Sequence, residues 1–166
     1  MTSVHFHHLI RVSAAAFLVA ALEACGPTVD ARAALQIESV STGWDDAGSA
    51  GASHKIVPSV SFRVKNASGS TLAPVQVNAI FRRAGSADEW SNGMVTAAGS
   101  RGLARDTATD RLVINSQLGY TGTDSAWDLL QNSRFIDATV DLFVRFGSTQ
   151  WTRIGEYPIA RRIVER

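Results

Sequence analysis

Few residues of the types that usually carry chemistry occur in this chain of 166 residues. It has one cysteine, Cys25, and four histidines, of which three lie in the N-terminal segment 5–8 (HFHH) and the fourth is His54. A Ser-His-Asp arrangement in the rest of the chain would depend on His54 as its base. A general base must be held rigidly by packing and by a partner. Because His54 lies in the Gly/Ala/Ser-rich stretch 45–55, we expect it to be a solvated loop residue.

The acidic residues do not have the spacing of a catalytic or metal-binding set. Asp137 and Asp141 share one face of an alternating segment, and strand geometry separates them by ~13 Å. The carboxyl groups of a glycosidase pair are ~5–9.5 Å apart. Adjacent acids occur at 45–46 and 88–89, but no calcium loop of the form D-x-[DN]-x-[DN]-G is present. We therefore predict no catalytic residue, no metal and no cofactor, and we expect the protein not to be an enzyme.

The first 24 residues have the layout of a secretory signal. Residues 1–12 contain one arginine, Arg11, and no acid, and residues 13–22 are almost wholly Ala, Leu, Val and Phe. This apolar run is about ten residues long, whereas a membrane-spanning helix needs about 20. The histidines of segment 5–8 lie within the predicted signal, so we discount them as metal ligands.

The single cysteine directly follows that apolar run, in Leu22-Glu23-Ala24-Cys25. This tetrapeptide resembles the lipobox of bacterial lipoproteins, Leu-small-small-Cys, from which only Glu23 departs. The resemblance implies that Cys25 is lipidated, becomes the N-terminus after cleavage and anchors the protein to a membrane. In that family an aspartate after the cysteine favours retention in the inner membrane. Gly26 at this position therefore favours the periplasmic face of the outer membrane.

Ordinary secretion is the alternative to lipid anchoring. The segment 31–33 (ARA) has the A-x-A form of a signal-peptidase site, and cleavage there would release a soluble exported protein. With a lipidated cysteine, residues 25–34 form a tether and residues 35–166 form one domain. The formal net charge is +1 and the charges are scattered, so we expect no nucleic-acid partner.

Alternating apolar and polar residues dominate the predicted domain. Clear period-two patterns occupy 60–65, 75–82, 111–115 and 136–146, with weaker ones at 35–41, 93–98 and 150–159. In the longest segment, Val140 lies on the apolar face and Asp141 on the solvent face. One short helix is predicted over 124–132, with Asp124 as its N-cap. We predict an all-β fold, an antiparallel β-sandwich of about seven strands with one short helix.

The segment 60–83 resembles the central strands of small Ig-like modules in bacterial envelope proteins, the FxLYD-type domains. The resemblance is carried by the alternating strand that ends at Asn66, a short polar turn, Leu72, and the alternating strand over 75–81. It implies an Ig-like sandwich, and it adds no catalytic residues.

Three aromatic residues lie in segments predicted to be polar loops: Trp44, Trp90 and Tyr120. Exposed Trp and Tyr side chains on loops are typical anchors for a protein or glycan partner. The alternative is that they fold back over the ends of the sandwich. We expect an exported, lipid-anchored envelope protein with a binding or structural role. Two alternatives remain open: an envelope hydrolase with a site in the loops 43–55 and 119–128, and a module that binds a small ligand or sugar.

Overall fold

A computed structural model describes residues 30–164. Segment 5–8, the predicted signal and Cys25 lie outside the described residues. The described part of the chain forms nine β-strands and two short α-helices. In chain order these are α1 (Ala31–Ala34), β1 (Leu35–Ala50), β2 (Ser53–Asn66), β3 (Val75–Arg83), β4 (Ser91–Ala98), β5 (Leu112–Asn115), β6 (Tyr120–Gly122), α2 (Ala126–Gln131), β7 (Ala138–Phe146), β8 (Thr152–Pro158) and β9 (Ile163–Val164).

The strands form two sheets that pack face to face. The first sheet has the order β5-β2-β1-β9, with β6 also paired to β2, and the second has the order β4-β3-β7-β8. Among the described strands, β1 and β9 pair in parallel and the other pairs are antiparallel. The predicted all-β sandwich is therefore confirmed. The strand count exceeds about seven because β6 and β9 have three and two residues, too few to show a period of two.

Alternation in the second sheet supplies much of the core. Inward side chains of β3 and β7 meet in register, as in the pairs Val77–Val144 and Ala79–Leu142. These four side chains are fully buried, and Val140 is as well. The predicted core position of Val140 is therefore confirmed.

A β-bulge in β1 decides which residues of that strand face the core. Between Glu38 and Ser41, β1 advances three residues while its partner β2 advances two. Ser39 takes a left-handed φ of 54° at this point. The extra residue reverses the alternation, so Leu35 before the bulge and Trp44 after it both face the core. The sequence pattern over 35–41 was weak because the bulge interrupts its period.

Asp141 does not have the solvent-facing role that its alternation predicted. It lies on the outer face of the second sheet but is only 9% exposed, because two guanidinium groups cover it. Arg82 and Arg153 both form ion pairs with its carboxylate, and Arg153 also pairs with Glu156. The expectation failed because the sequence pattern identifies the face of a strand but not the long side chains that cross it from neighbouring strands.

The folded part begins before residue 35. Asp30 caps helix α1, since its side chain accepts a hydrogen bond from the Arg32 backbone N–H (3.0 Å). Ala31 and Ala34 are buried against the core. The last residues of the predicted tether therefore belong to the sandwich.

Asn66 organises the end of the sandwich at which β1 begins and β2 ends. Its fully buried amide donates to the carbonyl oxygens of Ser70 and Leu103, each at 2.8 Å. Its Oδ1 accepts from the Ser68 backbone N–H (2.9 Å) and from the Ser68 hydroxyl (2.6 Å). The Asn66 side chain thus satisfies hydrogen-bonding groups of two loops at once. We call this end the Asn66 end.

Replacing Asn66 with Asp should lower the free energy of unfolding by about 3 kcal/mol. The substitution places a carboxylate oxygen against two carbonyl oxygens where the amide donated two hydrogen bonds. Chemical denaturation of the purified protein measures the loss. Asn78→Ala, at a half-buried position on the outer face of β3, is the control and should change stability by no more than about 0.5 kcal/mol. Equal losses in the two variants would contradict the role of Asn66.

Candidate functional site

Four aromatic side chains from separate segments pack together toward the end opposite Asn66. The ring centroids of Trp44 and Phe135 are 4.7 Å apart, and those of Trp44 and Tyr120 are 5.7 Å apart. Tyr120 also lies 4.8 Å from Phe135 and 5.4 Å from Trp90. These spacings are those of interacting aromatic pairs. The structure therefore brings the three residues singled out from the sequence together with Phe135, and we call these four residues the aromatic cluster.

Trp44 is a core residue and not a loop anchor. It lies within β1, is fully buried and forms the centre of the aromatic cluster. In the described structure its Nε1–H has no hydrogen-bond acceptor, and aromatic rings surround the indole. The expectation of an exposed position was wrong because the polar neighbours of Trp44 face outward from a strand.

Trp90 is half-buried just before β4, where its backbone N–H donates to the Phe81 carbonyl (2.8 Å). The guanidinium of Arg83 lies 5.0 Å above its ring, a cation–π contact. The Trp90 ring therefore closes one side of the aromatic cluster and keeps part of its surface open to solvent.

Tyr120 is half-buried at the start of β6 rather than in a loop. Its hydroxyl donates to the Ile136 carbonyl oxygen at 3.1 Å. Gly119 lets the chain pass very close to β2, since a Cβ at this position would lie 1.9 Å from the Ile56 carbonyl oxygen. The ring of Tyr120 is thus fixed both by its backbone and by its hydroxyl.

A pocket of about 290 Å³ opens beside the Tyr120 and Phe135 rings. Helix α2 forms one wall. Its N-cap is Ser125, whose hydroxyl accepts from the Asp128 backbone N–H (3.2 Å), so the predicted cap Asp124 was one residue too early. The helix packs closely on β6, because a Cβ at Gly122 would lie 2.5 Å from Leu129. The pocket is lined by Tyr120, Thr121, Leu129, Asn132, Arg134 and Phe135.

A second concavity, of about 430 Å³, lies on the outer face of the first sheet. Its floor is polar and hydrogen-bonded within itself: the Ser59 hydroxyl donates to Asn115 Oδ1 (2.7 Å), and Asn115 Nδ2 donates to Asp45 Oδ2 (3.0 Å). Ser59 and Asp45 are buried, although they lie on the outer face. These side chains hydrogen-bond to one another, and the bonds join β5, β2 and β1. We therefore interpret the polar floor as a structural feature that stabilises the sheet.

His54 does not lie in a flexible loop. The predicted loop 43–55 forms the ends of β1 and β2, joined by a tight turn, and His54 pairs across the strands with Ser49 and with Gly122 of β6. Side chains of His54 and Ser49 are not hydrogen-bonded to each other in the described structure. Within residues 30–164, no group of three His, Cys, Asp or Glu side chains is close enough to hold a metal ion.

Sequence reasoning missed Phe135 and the polar residues beside it, Asn132 and Arg134. One signal was available: Phe135 and Ile136 are adjacent apolar residues, so they interrupt the alternation of the strand that follows. In the structure Phe135 packs into the aromatic cluster, while Ile136 is 46% exposed. The pairing of Phe135 with Trp44, far away in the sequence, has no sequence signature.

No protein-family model matches this chain, and no curated protein is significantly similar to it. No helix among residues 30–164 has the length and the apolar character needed to cross a membrane.

Trp44→Ala should lower the free energy of unfolding by about 3–5 kcal/mol, because it leaves a cavity at the centre of the aromatic cluster. Trp127→Ala is the matched control: the same change at a side chain that is 56% exposed should cost no more than about 0.5 kcal/mol. Chemical denaturation compares the two variants. A Trp44→Ala variant as stable as Trp127→Ala would show that the indole is not a core residue.

Proposed function

We propose that the protein is an exported, lipid-anchored envelope protein that binds a partner, without catalysis, through the end of the sandwich that carries the aromatic cluster. One observation carries the proposal. Segment 116–136, which builds this end, holds three of the five large apolar side chains that are exposed among the described residues: Leu118, Trp127 and Ile136, exposed by 50%, 56% and 46%. Apolar side chains that are exposed within one segment favour a contact surface over a purely solvated one.

The position at which the described part of the chain begins supports an anchoring role for Cys25. The start of β1 lies at the Asn66 end, because Leu35 pairs with Asn66, and helix α1 directly precedes Leu35. Tyr120 pairs with Ile56, which in turn pairs with Asp46. Eleven residues of strand separate Leu35 from Asp46, a distance of roughly 30 Å. A lipid on Cys25, five residues before Asp30, would therefore hold the Asn66 end near the membrane and present the aromatic cluster away from it.

Cys25→Ser should move the protein from the membrane fraction to the soluble exported fraction. The substitution keeps the size of the side chain and removes the thiol that the lipid modifies. Fractionation after metabolic labelling with a radioactive fatty acid measures both location and lipidation. Trp127→Ala is the control and should remain labelled and membrane-bound. Equal membrane association of both variants, with no label in the unmodified protein, would contradict lipid anchoring.

The contact surface can be located by photocrosslinking in living cells. A benzophenone amino acid at position 127 should give a specific crosslinked product. The same group at position 94, on the outer face of the second sheet, should give none. Trp127 and Met94 are similarly exposed, by 56% and 59%, so accessibility does not distinguish them. Crosslinking from position 94 alone, or from neither position, would contradict the proposed binding end.

A further inference from the structure

We propose that the pocket beside Tyr120 and Phe135 binds an apolar group, aromatic by preference, that carries a carboxylate. The proposal rests on the proposed function, since it names the ligand chemistry of the same end. Such a group occurs in two sources, a small free acid and the C-terminus of a protein that ends in an aromatic residue.

The floor of the pocket is apolar and suits a ring. Tyr120, Leu129 and Phe135 supply two aromatic rings and a branched aliphatic side chain. The volume of about 290 Å³ lies just below the ~300–1,000 Å³ range of ligand pockets. It therefore fits one ring system with a short substituent and excludes a long oligosaccharide.

The rim of the pocket is built for an anion. Within residues 30–164, its lining includes one cation, Arg134, and no carboxylate. Among the described residues, the Arg134 guanidinium has neither an ion pair nor a hydrogen bond. Arg161 nearby is different, because it already pairs with Asp137 through its Nε at 2.6 Å. Arg134 thus has its donors available for a carboxylate, which a guanidinium binds with two parallel bonds.

Asn132 adds a second donor at the rim. Its Oδ1 accepts the backbone N–H of Arg134 at 2.9 Å. This bond occupies the amide oxygen, whereas the NH₂ group has no hydrogen-bond partner among the described residues and is the part available to a ligand. A ligand acceptor is therefore favoured over a ligand donor, in agreement with the charge of Arg134.

The pocket is held in shape without a ligand. The hydroxyl of Tyr120 is bonded to the Ile136 carbonyl, Phe135 packs edge-on against Trp44, and Leu129 packs on Gly122. A preformed pocket avoids the entropic cost of ordering its walls, so even a small ligand should bind measurably.

Three probes that share one ring test the ligand class: indole-3-acetate, its neutral amide indole-3-acetamide, and the cation tryptamine. Titration of the full-length protein, followed by saturation-transfer NMR, should give a Kd of about 1 mM or lower for the acid, from ~0.3 kcal/mol per non-hydrogen atom. The amide should bind about tenfold more weakly, since it lacks the charge that Arg134 recognises. Tryptamine should bind most weakly. No binding by any probe, or equal binding by all three, overturns the proposal.

Variants show whether the probes occupy this pocket. Arg134→Gln should abolish the tenfold preference for the acid and leave the affinity for the amide unchanged. Thr121→Trp should fill the pocket and abolish binding of all probes. Arg101→Gln is the matched control, an exposed arginine at the Asn66 end with no ion pair among the described residues, and should change nothing. A preference for the acid that survives Arg134→Gln, or that Arg101→Gln also removes, overturns the assignment.

A peptide that ends in Trp with a free carboxylate, and its amidated form, distinguish the two sources. Tighter binding by the free-acid peptide than by indole-3-acetate identifies a protein C-terminus as the ligand, and weaker binding identifies a small acid. The crosslinking experiment separates this proposal from the proposed function. Crosslinks at position 127 without binding of any probe would refute the proposed ligand class alone. The absence of crosslinks at position 127 would refute the proposal that a partner binds at this end.

Discussion

Burial of the Trp44 indole between the two sheets is the constraint on which the end of the sandwich that carries the aromatic cluster depends. The bulge at Ser39 turns Trp44 inward, and once inside, its ring provides a surface for Phe135, Tyr120 and Trp90. Phe135 and Tyr120 then form the floor of the pocket against which helix α2 packs. One extra residue in a strand therefore decides the position of a cluster whose other members come from three distant segments.

The opposite end is organised by hydrogen bonds rather than by rings. There the buried side-chain amide of Asn66 donates to two loop carbonyl oxygens and accepts hydrogen bonds from Ser68. A polar hub of this kind stabilises only one arrangement, because each unsatisfied partner would carry a desolvation cost. The two ends are thus specified by different chemistry, and segment 116–136 at the aromatic end carries three of the five large apolar side chains that are exposed among the described residues.

Side chains also close the edges between the sheets. Along one edge, Arg32 and Thr42 donate to carbonyl oxygens of β8, at Arg153 (3.0 Å) and Pro158 (2.8 Å). At the other edge, the Ser91 hydroxyl accepts from the Gln117 backbone N–H (3.1 Å). The two bonds to β8 occupy backbone carbonyl oxygens that an added strand would need, so they protect that edge from pairing with another chain.

The sequence by itself determined the architecture, because alternation in 60–65, 75–82 and 136–146 reflects burial of one face of each strand, a property local to the strand. It placed Val140 in the core for that reason. It could not place Trp44 or Asp141, and it could not find the pocket. Trp44 depends on a bulge that reverses the alternation, Asp141 on two arginines that reach it from neighbouring strands, and Phe135 on a contact between segments some 90 residues apart. Such contacts are set by the packing of the two sheets, and only the tertiary structure decides them.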